Sequence, residues 1–326
     1  MLEPFSNLAH DYHDYVDYCE QVASALVDFS KGSALAEALL QQRTFIHWVS
    51  YDEVSGVTDI KVKQGHGAHS LESEAISTEF QAYLETVLDP QIRLGILTDG
   101  SQPGSYDDRK VRWSGAGATG FWVRDENTLT LEIGPTSYPR CRLDMDRDPV
   151  DALKLMLRGL ETYQDPYAYF ARGMGVAVVP LTDSGHVYIG KRFHTSDYKN
   201  VLSFVSGWVT FSSNLNEINF YQDAQQELKE EIHLKIALNK TNTQFIGISG
   251  NPITGEVDLV FVTQTELTDE HFKSGHWPEH SSWYSIRNSA DAELLLEKGR
   301  LSDEQETYDL MFSSRLGLEY LLQHYW

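Results

Sequence analysis

Cysteine is nearly absent: Cys19 and Cys141 are the only two in 326 residues. Two cysteines so far apart supply neither a disulfide framework nor the paired spacing of a metal site, which points to a reducing, intracellular setting. Long apolar runs are lacking as well. No stretch approaches the ~18 apolar residues of a membrane span, and Met1-Leu2-Glu3-Pro4-Phe5 has neither the basic start nor the apolar core of a secretion signal. The expected location is the cytoplasm, with no membrane partner. Basic residues are scarce: 26 Lys and Arg stand against 48 Asp and Glu, for a net charge of −22 and a pI near 4.8. Such a field argues against extended contact with nucleic-acid phosphates or an anionic membrane. An anionic small-molecule partner would need a local basic pocket or bound cations to offset it. Repeats and low-complexity tracts are absent too, so order is expected along most of the chain.

What is present is enough chain for more than one core, since single cores stop growing at roughly 250–300 residues. The segment Asp99–Asp108, rich in Gly, Ser, Asp and Pro, marks a boundary. The expected units are an N-terminal α+β domain over 1–105, strands and a helix over 106–172, and a further domain over 173–326. Within the first, Tyr12, Tyr15, Cys19, Val22 and Leu26 form a helical stripe, and His10, Asp11, His13, Asp14 and Asp17 lie opposite it on a solvated face. Thr44–Tyr51 and Gly56–Val62 read as a pair of strands, Gly65–His69 as a loop, and Leu71–Leu88 as a helix ended by Pro90.

Further on, Thr119–Val123 and Thr128–Ile133 are strands, Pro149–Tyr163 is a helix, and Gly173–Leu181 with His186–Phe193 makes a β-hairpin around Asp183-Ser184-Gly185. A short strand at Val201–Val205 precedes Gly207. Ser212-Ser213-Asn214 offers cap chemistry for a helix that ends in Gln226-Glu227-Leu228-Lys229-Glu230-Glu231-Ile232-His233-Leu234. Strands follow at Gln244–Ser249, Val257–Gln264 and Ser281–Ile286, and helices at Thr268–Lys273, Ala290–Lys298 and Asp303–Tyr325. On the acidic helix Glu227, Glu230 and Glu231 share a face at i, i+3 and i+4, where like charges repel by about a few tenths of a kcal/mol per pair. A divalent cation would turn that repulsion into attraction, although such a run is also what a solvated helix face looks like.

The order strand, turn, strand, Gly207 loop, acidic helix, strand resembles the Nudix hydrolases, whose box reads G-x5-E-x7-R-E-U-x-E-E-x-G-U with U apolar. The match lies in Glu227-Leu228, Glu230-Glu231 and Leu234. Gln226 stands at the arginine position, His233 at the final glycine, the loop from Gly207 is long, and only Glu217 is available as the first glutamate. These departures are similar to the branch of UDP-glucose and UDP-galactose diphosphatases found in animals, which also has a long loop and Gln-Glu. Leu131–Tyr138, Phe245–Ile248 with Val257–Val260, and Leu267–Gly275 extend the likeness over about residues 109–290.

The resemblance implies a Nudix-type α/β/α sandwich with a mixed sheet, preceded by the separate α+β domain. It implies hydrolysis of a pyrophosphate bond with Mg²⁺ or Mn²⁺, the substrate being a UDP-sugar or another nucleoside diphosphate derivative such as ADP-ribose. Hard cations want oxygen ligands, and the implied set is Gly207 by its carbonyl, Glu227, Glu230, Glu231 and Asp258, with the three glutamates as catalytic residues. Lys191 and Arg192 are candidate phosphate contacts, Tyr138 and Arg140 candidate sugar or uracil contacts, and Trp208 a residue that stacks on a base or simply packs. A Nudix module with a decayed box that binds nucleotides without cleaving them is the alternative.

Overall fold

This computed structural model describes residues 12–326 except 27–28, 30, 66–73, 94–108, 116–119, 194–197, 199–200, 276, 278 and 302–305. The expected loop at 66–69 and the expected boundary at 99–108 lie outside the described residues. Helix α1 (Tyr12–Ala25) and α2 (Gly32–Leu40) pack together because Tyr15, Cys19, Val22, Leu35 and Leu39 bury one stripe from each. Tyr12 stands exposed, as do His13, Asp14 and Asp17, while His10 and Asp11 are outside the described residues.

The two strands expected at Thr44–Tyr51 and Gly56–Val62 do not pair with each other. Strand β1 (Ile46–Val49) adds to the edge of the main sheet, and a capping box of Ser50 and Glu53 starts the one-turn α3 (Tyr51–Val54). That turn redirects the chain into β2 (Asp59–Gln64) of a second sheet. Local propensity marks a strand but not its partner. Pro90 does not end its helix either. After α4 (Glu74–Tyr83) a π-helical turn at Leu84–Leu88 leads straight into α5 (Asp89–Arg93). The wide turn accommodates a residue that lacks an N–H and crowds the carbonyl four positions back.

The second sheet contains β3 (Arg109–Trp113), β4 (Trp122–Asp125) and β5 (Thr128–Ser137), with β2 parallel to β5 and the others antiparallel to it. Two helices follow, α6 (Tyr138–Asp146) and α7 (Pro149–Tyr163), the latter capped by Asp148. Next come β6 (Met174–Leu181) and β7 (Val187–Arg192), which pair only at Leu181 and Val187 and then splay apart. Into the gap run β8 (Leu202–Ser203) beside β7 and β9 (Val205–Trp208) beside β6. The expected hairpin is present at its tip, where the Thr182 N–H donates to the His186 carbonyl at 2.9 Å, and it opens beyond that turn.

The chain then forms α8 (Phe220–Ile232), β10 (Thr243–Gly250), β11 (Val257–Gln264), α9 (Asp269–Ser274), β12 (His280–Ile286), α10 (Ser289–Lys298) and α11 (Phe312–His324). The last helix begins at Phe312 rather than Asp303. Strand order in the main sheet is β1-β10-β11-β6-β7-β12, with β11 and β6 parallel over Val257–Gln264 against Met174–Leu181. Both strands are nearly unbroken apolar runs because both faces are covered. Val176, Val178, Leu259 and Phe261 meet Ala224 and Leu228 of α8 on one face. Ala177, Val179 and Val260 meet Leu316, Leu318 and Leu321 of α11 on the other. The fold is α+β with mixed sheets, layered helix, sheet, helix.

Strand β3 joins the two sheets. Val111 N–H donates to the Val209 carbonyl at 2.9 Å and Trp113 N–H to the Arg172 carbonyl at 3.1 Å, so its free edge continues past the ends of β9 and β6. Division into units at 1–105, 106–172 and 173–326 stays a proposal, and β1 and the α1 stripe share their sheet and core with residues of the last unit.

Candidate active site

Helix α8 carries the acidic run, and both of its ends are fixed by side chains. Asn219 is the N-cap, its side-chain oxygen accepting from the Tyr221 and Gln222 N–H groups. The caps expected at Ser212–Asn214 serve a 3₁₀ turn at Leu215–Glu217 instead. There Ser212 and Asn214 hold the exposed Glu217, the expected first glutamate. At the other end His233 adopts φ 57°, the left-handed conformation that glycine usually supplies after a helix. Its ring stacks on Trp277 with centroids 5.7 Å apart, and the His271 Nε2 lies 2.8 Å from the Ile232 carbonyl oxygen. Histidine thus replaces glycine without loss of the cap.

The three glutamates are not equivalent. Glu227 lies over Gly207, where a Cβ would fall inside its carboxylate. Glu231 is 1% exposed, and its Oε1 accepts from the Ser206 N–H at 3.1 Å. Glu230 is exposed on the outer side, where it accepts from the Gln226 side chain. Gln226 therefore pairs one turn along its own helix and does not orient Glu227. Asp258 is buried on β11, its Oδ1 crowding Gly175 of β6, and a Cβ on Gly175 would also come within 2.8 Å of the Gly207 carbonyl oxygen. The sequence of contacts Glu231, Ser206, Gly207, Glu227 and Gly175, Asp258 is continuous.

Burial dominates the electrostatics. It pushes Glu227 up to about 8, helped by Glu279 and Glu230, and Asp258 up to about 7. Burial and Glu279 also hold Glu231 well above the ordinary carboxylate range. His280 is pushed the opposite way, down to about 3, by burial and then by Arg192. Its Nδ1 sits 3.5 Å from Glu231 Oε2, and neither atom has a hydrogen-bond partner among the described residues. Asp258 Oδ2 is likewise buried without one.

These residues fit a hard divalent cation in chemistry. Oxygen donors cluster where their own charges are disfavoured, and buried oxygens are left unsatisfied. They do not form a finished cage: among the described residues no three His, Cys, Asp or Glu side chains converge as an ion-holding group. Glu227, Glu231, Asp258 and the Gly207 carbonyl would hold the ion, with Glu230 turned outward.

The expected substrate contacts fall in several places. Arg192 is buried in the splay, donating to Glu279 at 2.9 Å and to Ser206 Oγ at 3.5 Å, so it belongs to the cluster. Lys191 points away, 3.5 Å from Glu306 and 5.0 Å over the Tyr308 ring. Tyr138 begins α6 beside Arg142, and Arg140 stacks 3.6 Å over Phe80. Trp208 packs across Gly173, beside Cys141. Glu279, His280 and Lys110 were not expected. Glu279, just before β12, and Lys110 on β3 act on the carboxylates from distant points of the sequence, and only the adjacent Glu279-His280 at the start of a strand offers any signal.

No known family profile and no curated protein matches the chain. Solved structures to which it is similar include DR0079 from Deinococcus radiodurans (16% identity, 45% of this chain and 83% of that one, TM-score 0.31). The NUDIX domain of Shewanella oneidensis NrtR complexed with ADP ribose matches at 12% identity, 50% of this chain and 94% of that one, TM-score 0.30. A MutT protein from Methanosarcina mazei Go1 matches at 10% identity, 44% and 90%, TM-score 0.29. Likenesses this distant carry no argument about activity, which is read from the site itself.

Proposed function

We propose that the protein hydrolyses the pyrophosphate bond of a nucleoside diphosphate derivative with the help of Mg²⁺ or Mn²⁺, the substrate being a UDP-sugar split by water into UMP and sugar 1-phosphate. The observation that carries the reading is the run of contacts by which Glu231, Glu227 and Asp258 lie against Ser206, Gly207 and Gly175 in turn, with Glu231 Oε2 and Asp258 Oδ2 buried without a donor. A divalent ion bound there supplies charge neutralisation on the pyrophosphate and an activated water. The chain's own part is to hold the carboxylates rigidly against β9 and to exclude bulk water from their inner side. Arg192, fixed by Glu279, keeps positive charge beside them.

The deciding experiment is a product screen over UDP-sugars and ADP-ribose with Mg²⁺, Mn²⁺ or chelator. Metal-dependent UMP release is expected, lost in Glu231→Gln and Glu227→Gln along with about 10–100-fold or more of the Mn²⁺ affinity. Silence across the panel with metal bound would sink the reading. The alternative, a nucleotide-binding module, is favoured by one observation, the outward turn of Glu230 onto Gln226. It would show nucleotide binding indifferent to Mn²⁺ in calorimetry.

A further inference from the structure

Arg112 is a buried cation with little to neutralise it. It is 3% exposed on β3, and its Nε and Nη2 have no hydrogen-bond partner among the described residues. The carboxylates facing it are already occupied. Asp165 is paired with Arg172, and Asp144 with Arg147 at 2.5 Å and with the Ala171 N–H at 2.6 Å. Burial and the neighbouring Arg172 lower the guanidinium to about 9. Unpaired buried charge is costly, and a fold retains it where a ligand completes it.

The surroundings point to an anion. Val111 and Trp113 turn into the core, so Lys110, Arg112 and Ser114 share the opposite face of β3. Across from them on β5 stand Thr136, opposite Lys110, and Gly134, opposite Arg112. Thr136 Oγ1 is buried and also lacks a partner. Gly134 lies against the Arg112 stem and Ser114, a Cβ there coming within 2.8 Å of Ser114 Oγ and 3.6 Å of Arg112 Cγ. In a chain of net charge −22, two cations and an unused hydroxyl on one face form a local exception.

This face adjoins the carboxylate cluster. Arg112 is bridged to Gly173, and two residues along, about 7 Å by strand rise, Gly175 lies against Asp258 and the Gly207 carbonyl. Lys110 is close enough to lower the pKa of Glu227. We propose that Arg112, Thr136 Oγ1 and Lys110 form a phosphate subsite beside the carboxylates, holding a phosphate group of the nucleoside diphosphate. The inference rests on the hydrolase reading and names the residues that anchor its substrate.

The test uses the full chain in chelator, so that no cation binds phosphate, with inorganic phosphate as the probe. Phosphate is expected to raise Tm saturably. In Arg112→Met the shift disappears and the phosphate Kd weakens at least tenfold, while Tm without phosphate rises because a buried unpaired charge is gone. Thr136→Val, which changes no charge, keeps the fold and weakens phosphate several-fold. UDP competes with phosphate in wild type. An unchanged phosphate shift in Arg112→Met or Thr136→Val overturns the subsite, as does independent binding of phosphate and UDP. Failure of the hydrolase reading looks different: phosphate held at Arg112, displaced by UDP, but no UMP released when metal is restored.

Discussion

Gly207 has no room for a side chain, because the Glu227 carboxylate occupies the place where a Cβ would stand. The same residue turns its carbonyl toward Gly175 on the neighbouring strand β6, which Asp258 of β11 meets as well. One glycine therefore sets the spacing between α8 and β9 at the point where the carboxylates meet. Gly207→Ala must push Glu227 outward, and the shift is resisted by Leu228 and Ala224, which are fully buried. The expected result is a folded protein with about 1–3 kcal/mol less stability and no measurable Mn²⁺ binding by calorimetry. Wild-type Mn²⁺ affinity in that variant would remove Glu227 from the ligand set. Glu227 and Glu230 looked alike in the sequence, and what separates them is a rotation of about 60° between i and i+3. That rotation puts one against β9 and the other in solvent. The periodicity located the acidic face but not which edge of it would be covered.

Helix α8 stands on its caps as much as on its apolar stripe. Asn219 satisfies two first-turn N–H groups, and replacing it by Ala should cost about 1 kcal/mol, read as a lower denaturant midpoint with unchanged m-value. No loss of stability would mean that the preceding 3₁₀ turn caps the helix instead. The elements that were legible are those whose burial is nearly complete or strongly periodic: β6, β11 and α8 follow from their runs alone. The cap differs from expectation because Ser212-Ser213-Asn214 offers more cap chemistry than the single Asn219, and a long loop hides which one the sheet positions. Strand β3 was invisible for a related reason. Three of its five residues are basic, and the burial of Arg112 depends on the chain before β6 and after β9 lying alongside. The subsite proposed at Arg112 and the unexpected Lys110 both sit on that strand. Pairing partners far apart in sequence leave no local trace, so of the basic residues at the candidate site Arg192 is legible in the sequence and Lys110 and Arg112 are not.

At the scale of the molecule, the N-terminal segment is tied to the C-terminal helix through the main sheet. His47 of β1 contacts Ser249 Oγ at 3.1 Å and Glu319 of α11 at 2.8 Å, and Arg315 donates to the same carboxylate at 3.4 Å. Burial alone would raise Glu319, but its bonds to His47 and then the charge of Arg315 outweigh it and hold the group below the usual carboxylate range. A depressed pKa means that the unfolded chain takes up the proton first. The stability this tie contributes is therefore complete above the unfolded value, about 4.3, and is lost as pH falls through the lower folded value. Glu319→Gln should destabilise the protein at pH 7 by about 1 kcal/mol, a small effect because the pair is partly exposed to solvent. Below pH 4 the difference should shrink toward zero, so the acid limb of the stability curve becomes shallower in the variant. Chemical denaturation of both proteins from pH 7 to pH 3 reads this directly. A difference that stays constant across that range would show that the His47 contact is not charge-dependent, and that β1 is held at the sheet edge by its ladder to β10 and by Ile46, Trp48 and Val49 alone.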